Sequence, residues 1–154
     1  MLIISIDSAF KFNSNFPLIE YEDWIGGFHN FDETQNGLCP EISDECPDLN
    51  SDNQLTEQVE VCVGSSHWGG SINLMAYNSL NNLTIGYLES GDIPYFKLFD
   101  SDTDSVYFMT SYLDGIEVNI EYNGGALQQE NLDSLVAICP FYNNLDQDED
   151  NIPD

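Results

Sequence analysis

The chain of 154 residues carries 28 aspartates and glutamates but only two lysines and no arginine, so its formal net charge is −26 at pH 7. A nucleic-acid-binding protein needs a basic surface to replace the counterions of the phosphate backbone, and enzymes that act on phosphates commonly hold the developing charge with arginine or lysine. The composition therefore argues against both classes. It favours a protein of a saline or calcium-rich exterior, where cations screen the carboxylates.

The length predicts one domain, and hydrophobic residues make up 42% of the chain, which is enough for a packed core. No segment is long and apolar enough to insert into a membrane, and residues 1–6 lack the basic start of a secretory signal peptide. We expect a domain at residues 1–138, a separate acidic tail at residues 139–154, and a chain that is a segment of a longer protein.

Short runs of β-branched and aromatic residues, separated by Gly, Asn, Asp and Pro, predict strands along most of the chain. In chain order these are residues 2–12, 17–28, 57–64, 71–80, 83–89, 95–99, 106–110, 115–122 and 133–139. Residues 29–56 lose the periodicity and predict an acidic loop inserted in the domain, while Leu127 to Leu135 predict one helical turn at most. Strands recurring about every ten residues predict an all-β fold, an antiparallel β-sandwich of about eight or nine short strands.

The cysteines form an even set of four: Cys39, Cys46, Cys62 and Cys139. No CxxC pair is present, so a structural zinc site is poorly supported and disulfides are the better interpretation. Three pairings are possible. We favour Cys39 with Cys46, closing an acidic loop, and Cys62 with Cys139, tying a strand to the tail.

The tail carries alternating aspartates, a spacing with which a short loop can surround one hard cation. Calcium takes about six to eight oxygen ligands. The segment Cys139 to Asp154 begins Cys-Pro, continues with Asn and then with Asp-x-Asp-x-Asp, and so resembles a thrombospondin type 3 repeat. The resemblance implies calcium as the cofactor, with these ligands: the side chains of Asp146, Asp148, Asp150 and Asp154 and the carbonyl of Ile152. Asn151 stands where the repeat has glycine, and the sequence ends before the position of the repeat's later aspartate and cysteine.

Two other segments are weaker candidates for a cation. Asp100, Asp102 and Asp104 also alternate, but they lie between two predicted strands, so a polar hairpin loop is the simpler interpretation. Residues 46–52 share the Cys-Pro-x-x-Asn start of the tail and are either a related cation loop or an acidic disulfide loop. Residues 71–112, with Gly-Asp-x-Pro-x-Phe-Lys at 91–97, resemble β-rich modules of secreted proteins of Bacteroidetes-type bacteria.

A catalytic site finds little support, because no Gly-x-Ser-x-Gly elbow accompanies His29 or His67. We therefore expect no enzyme. The leading hypothesis is an extracellular structural or adhesive surface module whose tail binds calcium and whose partners are neighbouring domains or protomers of a surface or matrix assembly. One alternative is a carbohydrate-binding module that stacks glycans on Trp24 and Trp68. Another is a filament subunit whose strand 2–12 pairs with the next protomer.

Overall fold

A computed structural model describes residues 1–11, 22–101 and 104–140, without the side chains of residues 10–11 and 138–140. This part of the chain confirms the all-β prediction. The strands are β1 (Leu2–Lys11), β2 (Trp24–Phe31), β3 (Val59–His67), β4 (Ser71–Leu74), β5 (Tyr95–Asp100), β6 (Ser105–Leu113), β7 (Ile116–Glu117) and β8 (Gln128–Pro140). One 3-10 turn, Asn82–Thr84, is the helical element among the described residues.

The eight strands form one sheet in the order β3-β2-β5-β6-β8-β1-β4, with the short β7 beside β6. Neighbouring strands run antiparallel except β1 and β8, which pair in parallel. The sheet is therefore mixed, and the predicted antiparallel β-sandwich is corrected in two respects: β1 and β8 run parallel, and the strands form one sheet where a sandwich has two. Side-chain alternation within a strand reports which face is buried, but it carries no information on the direction of the neighbouring strand.

Strand β1 lies inside the sheet, with β4 on one side along Leu2 to Ser5 and β8 on the other side along the same residues. Both edges of this segment are therefore occupied within the chain. This pairing counts against the filament alternative, which requires the opening strand to complete the sheet of another protomer.

The sheet curls until its end strands β3 and β4 meet. Met75 N donates a hydrogen bond to Val63 O at 2.8 Å across this seam. Gly64 permits the close approach, because a Cβ at this position would lie 2.1 Å from the carbonyl oxygen of Asn73. The curled sheet encloses one apolar core on its inner face, as far as the described residues show.

The core is built by alternation along the strands. On β5, Phe96 and Leu98 point into the core, while Lys97 between them points to the outer face. The largest fully buried hydrophobic side chains of the core are Leu2, Ile4, Ile25, Val63, Leu74, Leu88, Leu98, Leu132 and Leu135. The inner face therefore forms the packed hydrophobic core that the composition predicted.

Four segments differ from the predicted secondary structure. Of residues 71–80, expected to be one strand, only Ser71–Leu74 form β4. Residues 83–89, expected to be a strand, instead contain the 3-10 turn, whose start is capped by Asn81 Oδ1 accepting from Leu83 N at 3.0 Å. Leu127–Leu135, expected to include a helical turn, lie almost entirely in β8, which pairs with β1 and β6. Of residues 115–122, only Ile116–Glu117 form a strand.

Candidate functional site

The loop between β2 and β3 contains the predicted disulfide, which closes residues 39–46. Cys39 and Cys46 are bonded, with their Cα atoms 5.7 Å apart, and both residues are buried. This confirms the Cys39–Cys46 pairing. A disulfide is typical of an oxidising compartment.

The second predicted pairing, Cys62 with Cys139, is wrong. Cys62 is an exposed free thiol on β3. Cys139 lies on β8 opposite Phe108, and β2, β5 and β6 separate the two strands in the sheet order. The pairing failed because the order of strands across the sheet determines which cysteines meet, and local sequence does not show that order.

Three carboxylates of the loop between β2 and β3 converge outside the ring that the disulfide closes. Oxygen atoms of Glu33, Asp48 and Asp52 lie within 4.8 Å of one another. Glu33 is completely buried, and its carboxylate accepts hydrogen bonds from Leu49 N at 2.6 Å and from Thr56 N at 3.0 Å. Glu33 thus joins the beginning of the loop to two points near its end.

Backbone amides hold the other two carboxylates in place. Asp48 accepts from Asn53 N at 2.7 Å and from Asp52 N at 3.3 Å, and Asp52 accepts from Gln54 N at 3.1 Å. Burial raises the pKa of Asp52, but hydrogen bonds from Gln54 and Asn50 outweigh it and lower the pKa below the ordinary value. The cluster therefore offers carboxyl oxygens, the ligand type that suits a hard cation such as calcium.

A cleft of about 530 Å³ opens beside this loop. One wall is formed by residues 29–38, at the end of β2 and the start of the loop, and the other by residues 77–92. Asp32, next to Glu33 in sequence, lines the first wall. The cleft and the carboxylate cluster therefore share one end of the molecule.

A buried histidine joins the two walls of the cleft. The Nε2 atom of His29 lies 2.5 Å from the carbonyl oxygen of Gly86, and Nδ1 lies 3.5 Å from Asp92 Oδ2. Because a carbonyl only accepts hydrogen bonds, Nε2 must carry a proton. Asp92 also accepts from Glu89 N at 2.8 Å. The sequence motifs did not single out this arrangement, because its residues are distant along the chain.

The predicted calcium ligands of the tail, Asp146, Asp148, Asp150, Ile152 and Asp154, lie outside the described residues, as does Asp102. Asp100 is buried at the end of β5, and Asp104 adopts a positive φ of 57° directly before β6. Residues 100–105 therefore connect two antiparallel strands, in keeping with the hairpin interpretation.

The two tryptophans do not form a common platform. Trp24 is 40% exposed and contacts His67, with ring centroids 3.9 Å apart and the ring planes tilted by 39°. Trp68 is half-buried and packs against the core, so the adjacent residues His67 and Trp68 point to opposite faces. A sugar ring cannot stack on both indoles at once.

Comparisons of the chain with protein-family models, with curated proteins and with solved structures found no match. The functional argument therefore depends on the geometry of the site. Within residues 1–11, 22–101 and 104–140, no helix has the length and apolar character required to cross a lipid bilayer.

Proposed function

We propose that this chain is a non-enzymatic, extracellular structural or adhesive module in which calcium orders the loop between β2 and β3. The observation that carries the proposal is the convergence of Glu33, Asp48 and Asp52 within 4.8 Å. The Cys39–Cys46 disulfide and the net charge of −26 support an oxidising, cation-rich exterior.

Calcium would act on this loop by neutralising charge and by joining distant positions. Glu33 follows β2, whereas Asp48 and Asp52 lie beyond the disulfide. A cation bound by all three carboxylates would hold these segments together in the folded state and not in the unfolded chain, so its binding would stabilise the fold. Neighbouring domains or protomers of a surface assembly would then meet a rigid end of the molecule.

The tail is a second calcium segment in this proposal, through its resemblance to the thrombospondin type 3 repeat. Asp146, Asp148, Asp150 and Asp154 would supply side-chain oxygens and Ile152 its carbonyl. A rigid tail and a rigid loop suit a structural module, and neither requires a catalytic residue.

Isothermal titration calorimetry with calcium chloride tests the loop site. We expect the Asp48→Asn, Asp52→Asn double variant to lose one binding event. Asp44→Asn is the matched control, because Asp44 is exposed in the same loop and its side chain makes no hydrogen bond to any described residue. An Asp148→Asn, Asp150→Asn variant reports the tail separately. Unchanged stoichiometry and affinity in the loop variant would rule out the loop site.

A further inference from the structure

We propose that the cleft between residues 29–38 and 77–92 binds a neutral, hydroxyl-rich ligand, namely a sugar residue of a glycan. Its volume of about 530 Å³ falls within the range of about 300–1,000 Å³ that is typical of ligand pockets. None of the three clustered carboxylates lines this cleft, so the proposal does not depend on calcium binding at the loop.

Hydrogen bonds hold both walls of the cleft in place. His29 connects β2 to Gly86 and Asp92 across the cleft. On the first wall, Asp32 accepts from Thr34 N at 2.9 Å and from Asn36 N at 3.0 Å. On the second wall, Tyr77 N donates to Leu88 O at 2.9 Å. A cleft fixed in this way loses little conformational freedom when a ligand binds.

The remaining polar groups of the cleft match a hydroxyl-bearing ligand. The side chains of Asn30, Asn36, Tyr77 and Glu89 make no hydrogen bond to any other described residue. Amides and the phenol can donate as well as accept, and the carboxylate accepts. A sugar hydroxyl both donates and accepts, so it can use every one of these groups. The ring of Tyr77, which is 39% exposed, adds an apolar face for the carbon-bound hydrogens of a sugar.

Charge and hydrogen bonding count against two other classes of ligand, anions and organic cations. Asp32, Glu89 and Asp92 line the cleft of a protein with a net charge of −26, so an anionic ligand is repelled. An ammonium group donates hydrogen bonds but accepts none, so it would use only the amide oxygens of Asn30 and Asn36 and leave their amide N–H donors without a partner. Asp32 and Asp92 already accept hydrogen bonds from backbone amides. The balance of donors and acceptors therefore favours a neutral ligand.

The test is a glycan array carrying neutral, acidic and amine-bearing glycans, probed with the full chain in calcium buffer. Nuclear magnetic resonance then monitors titrations of the protein with four sugars: glucose, galactose, mannose and N-acetylglucosamine. We expect neutral glycans to bind. Tyr77→Ala and Asn30→Ala should each weaken binding about tenfold, the loss of about 1.4 kcal/mol of contact.

Trp24→Ala is the matched control, because Trp24 is an exposed aromatic at the opposite end of β2 and does not line the cleft. This variant should bind as the wild type does, and circular dichroism checks that each variant is folded. The proposal is overturned by a silent array with no resonance shifts. It is also overturned by binding of amine-bearing glycans alone, or by a loss in Trp24→Ala equal to that in Tyr77→Ala. Calcium affinity is measured separately, so a failure of the sugar-binding proposal can be distinguished from a failure of the calcium-binding proposal.

Discussion

Lys97 serves packing on the outer face of the sheet. It is only 4% exposed, its Nζ lies 2.7 Å from Glu60 Oε1, and the rings of Phe28 and Phe108 lie 4.8 and 5.5 Å from Nζ. Cations are attracted to aromatic faces, more strongly when they are desolvated. One of the two lysines of the chain is therefore enclosed between a carboxylate and two aromatic rings.

We expect Lys97→Met to reduce the free energy of unfolding by about 1–3 kcal/mol, because Glu60 loses a charged partner in a partly buried place. Urea denaturation measures the loss. Adding Glu60→Gln should recover part of it, since the uncompensated carboxylate is removed. A single variant as stable as the wild type would show that the pair contributes nothing.

Tyr95 should make the stability of the protein sensitive to alkaline pH. Its hydroxyl donates to the Glu60 carboxylate, and burial followed by this hydrogen bond raises the pKa of Tyr95 above the ordinary value of 10.0. A raised pKa in the folded state stabilises the protein fully below pH 10, and this contribution is lost as the pH rises from 10 towards the folded-state pKa.

Urea denaturation on both sides of pH 10 checks this expectation, with Tyr95→Phe for comparison. The phenylalanine variant should be less stable than the wild type below pH 10, and the difference should shrink above it. A difference that is constant with pH would mean that the Tyr95 hydroxyl has the same pKa in both states.

At the scale of elements, the disulfide should stabilise the loop between β2 and β3. Cys39 and Cys46 are only seven positions apart, so the loop-entropy contribution is about 2–3 kcal/mol. We expect the Cys39→Ser, Cys46→Ser variant to lose this much free energy of unfolding, and therefore to unfold at a lower denaturant concentration. We also expect it to bind calcium more weakly. Equilibrium denaturation and calorimetry measure the two effects. Unchanged calcium affinity would show that the carboxylates are positioned without the disulfide.

The seam between β3 and β4 depends on Gly64. A Cβ at this position would lie 2.1 Å from the Asn73 carbonyl oxygen, which belongs to the backbone and cannot rotate away. We expect Gly64→Ala to destabilise the fold by at least about 1–3 kcal/mol, the usual cost of overpacking. Gly69→Ala is the control, because the nearest atom to its Cβ would lie 3.9 Å away. Equal stability of the two variants would mean that the seam opens at little cost.

Local sequence patterns predicted the strands that have one hydrophobic face and one polar face. The alternation of Val59, Val61 and Val63 identified β3, and the run at residues 95–99 identified β5. β8 was harder to identify, since its core residues Leu132 and Leu135 are three positions apart, a spacing that also fits a helix. Its strand conformation comes from pairing with β1 and β6, which lie far away in sequence.

The sequence pointed to the region of the candidate site but not to its ligands. The Cys39–Cys46 pairing was predicted, and residues 46–52 were left open between a cation loop and an acidic disulfide loop; no motif identified Asp48 and Asp52, which lie in that segment, as ligands. Glu33 was missed because it joins the cluster through hydrogen bonds to Leu49 and Thr56. The contact of His29 with Gly86 spans 57 positions, and no local spacing rule could find it.

At the scale of the whole molecule, electrostatic repulsion opposes folding. With a net charge of −26, the carboxylates are brought closer together in the folded state than in the unfolded chain. Added sodium chloride shortens the screening length, which is about 10 Å at 0.1 M and about 3 Å at 1 M. The midpoint of thermal unfolding should therefore rise with salt. The Lys97–Glu60 pair is partly buried and loses little of its attraction to screening.

Calcium should raise the midpoint further than screening does. A ligand that binds only the folded state stabilises it by about 2.7 kcal/mol at a hundred times its dissociation constant. Magnesium demands near-ideal octahedral geometry and keeps several waters, so the cluster of Glu33, Asp48 and Asp52 should favour calcium. Differential scanning calorimetry in calcium and in magnesium chloride at equal ionic strength separates the two effects. Equal midpoints in the two salts would mean that the divalent ions only screen the acidic surface, whereas a calcium-specific increase that disappears in the Asp48→Asn, Asp52→Asn variant would place the bound ion in the loop.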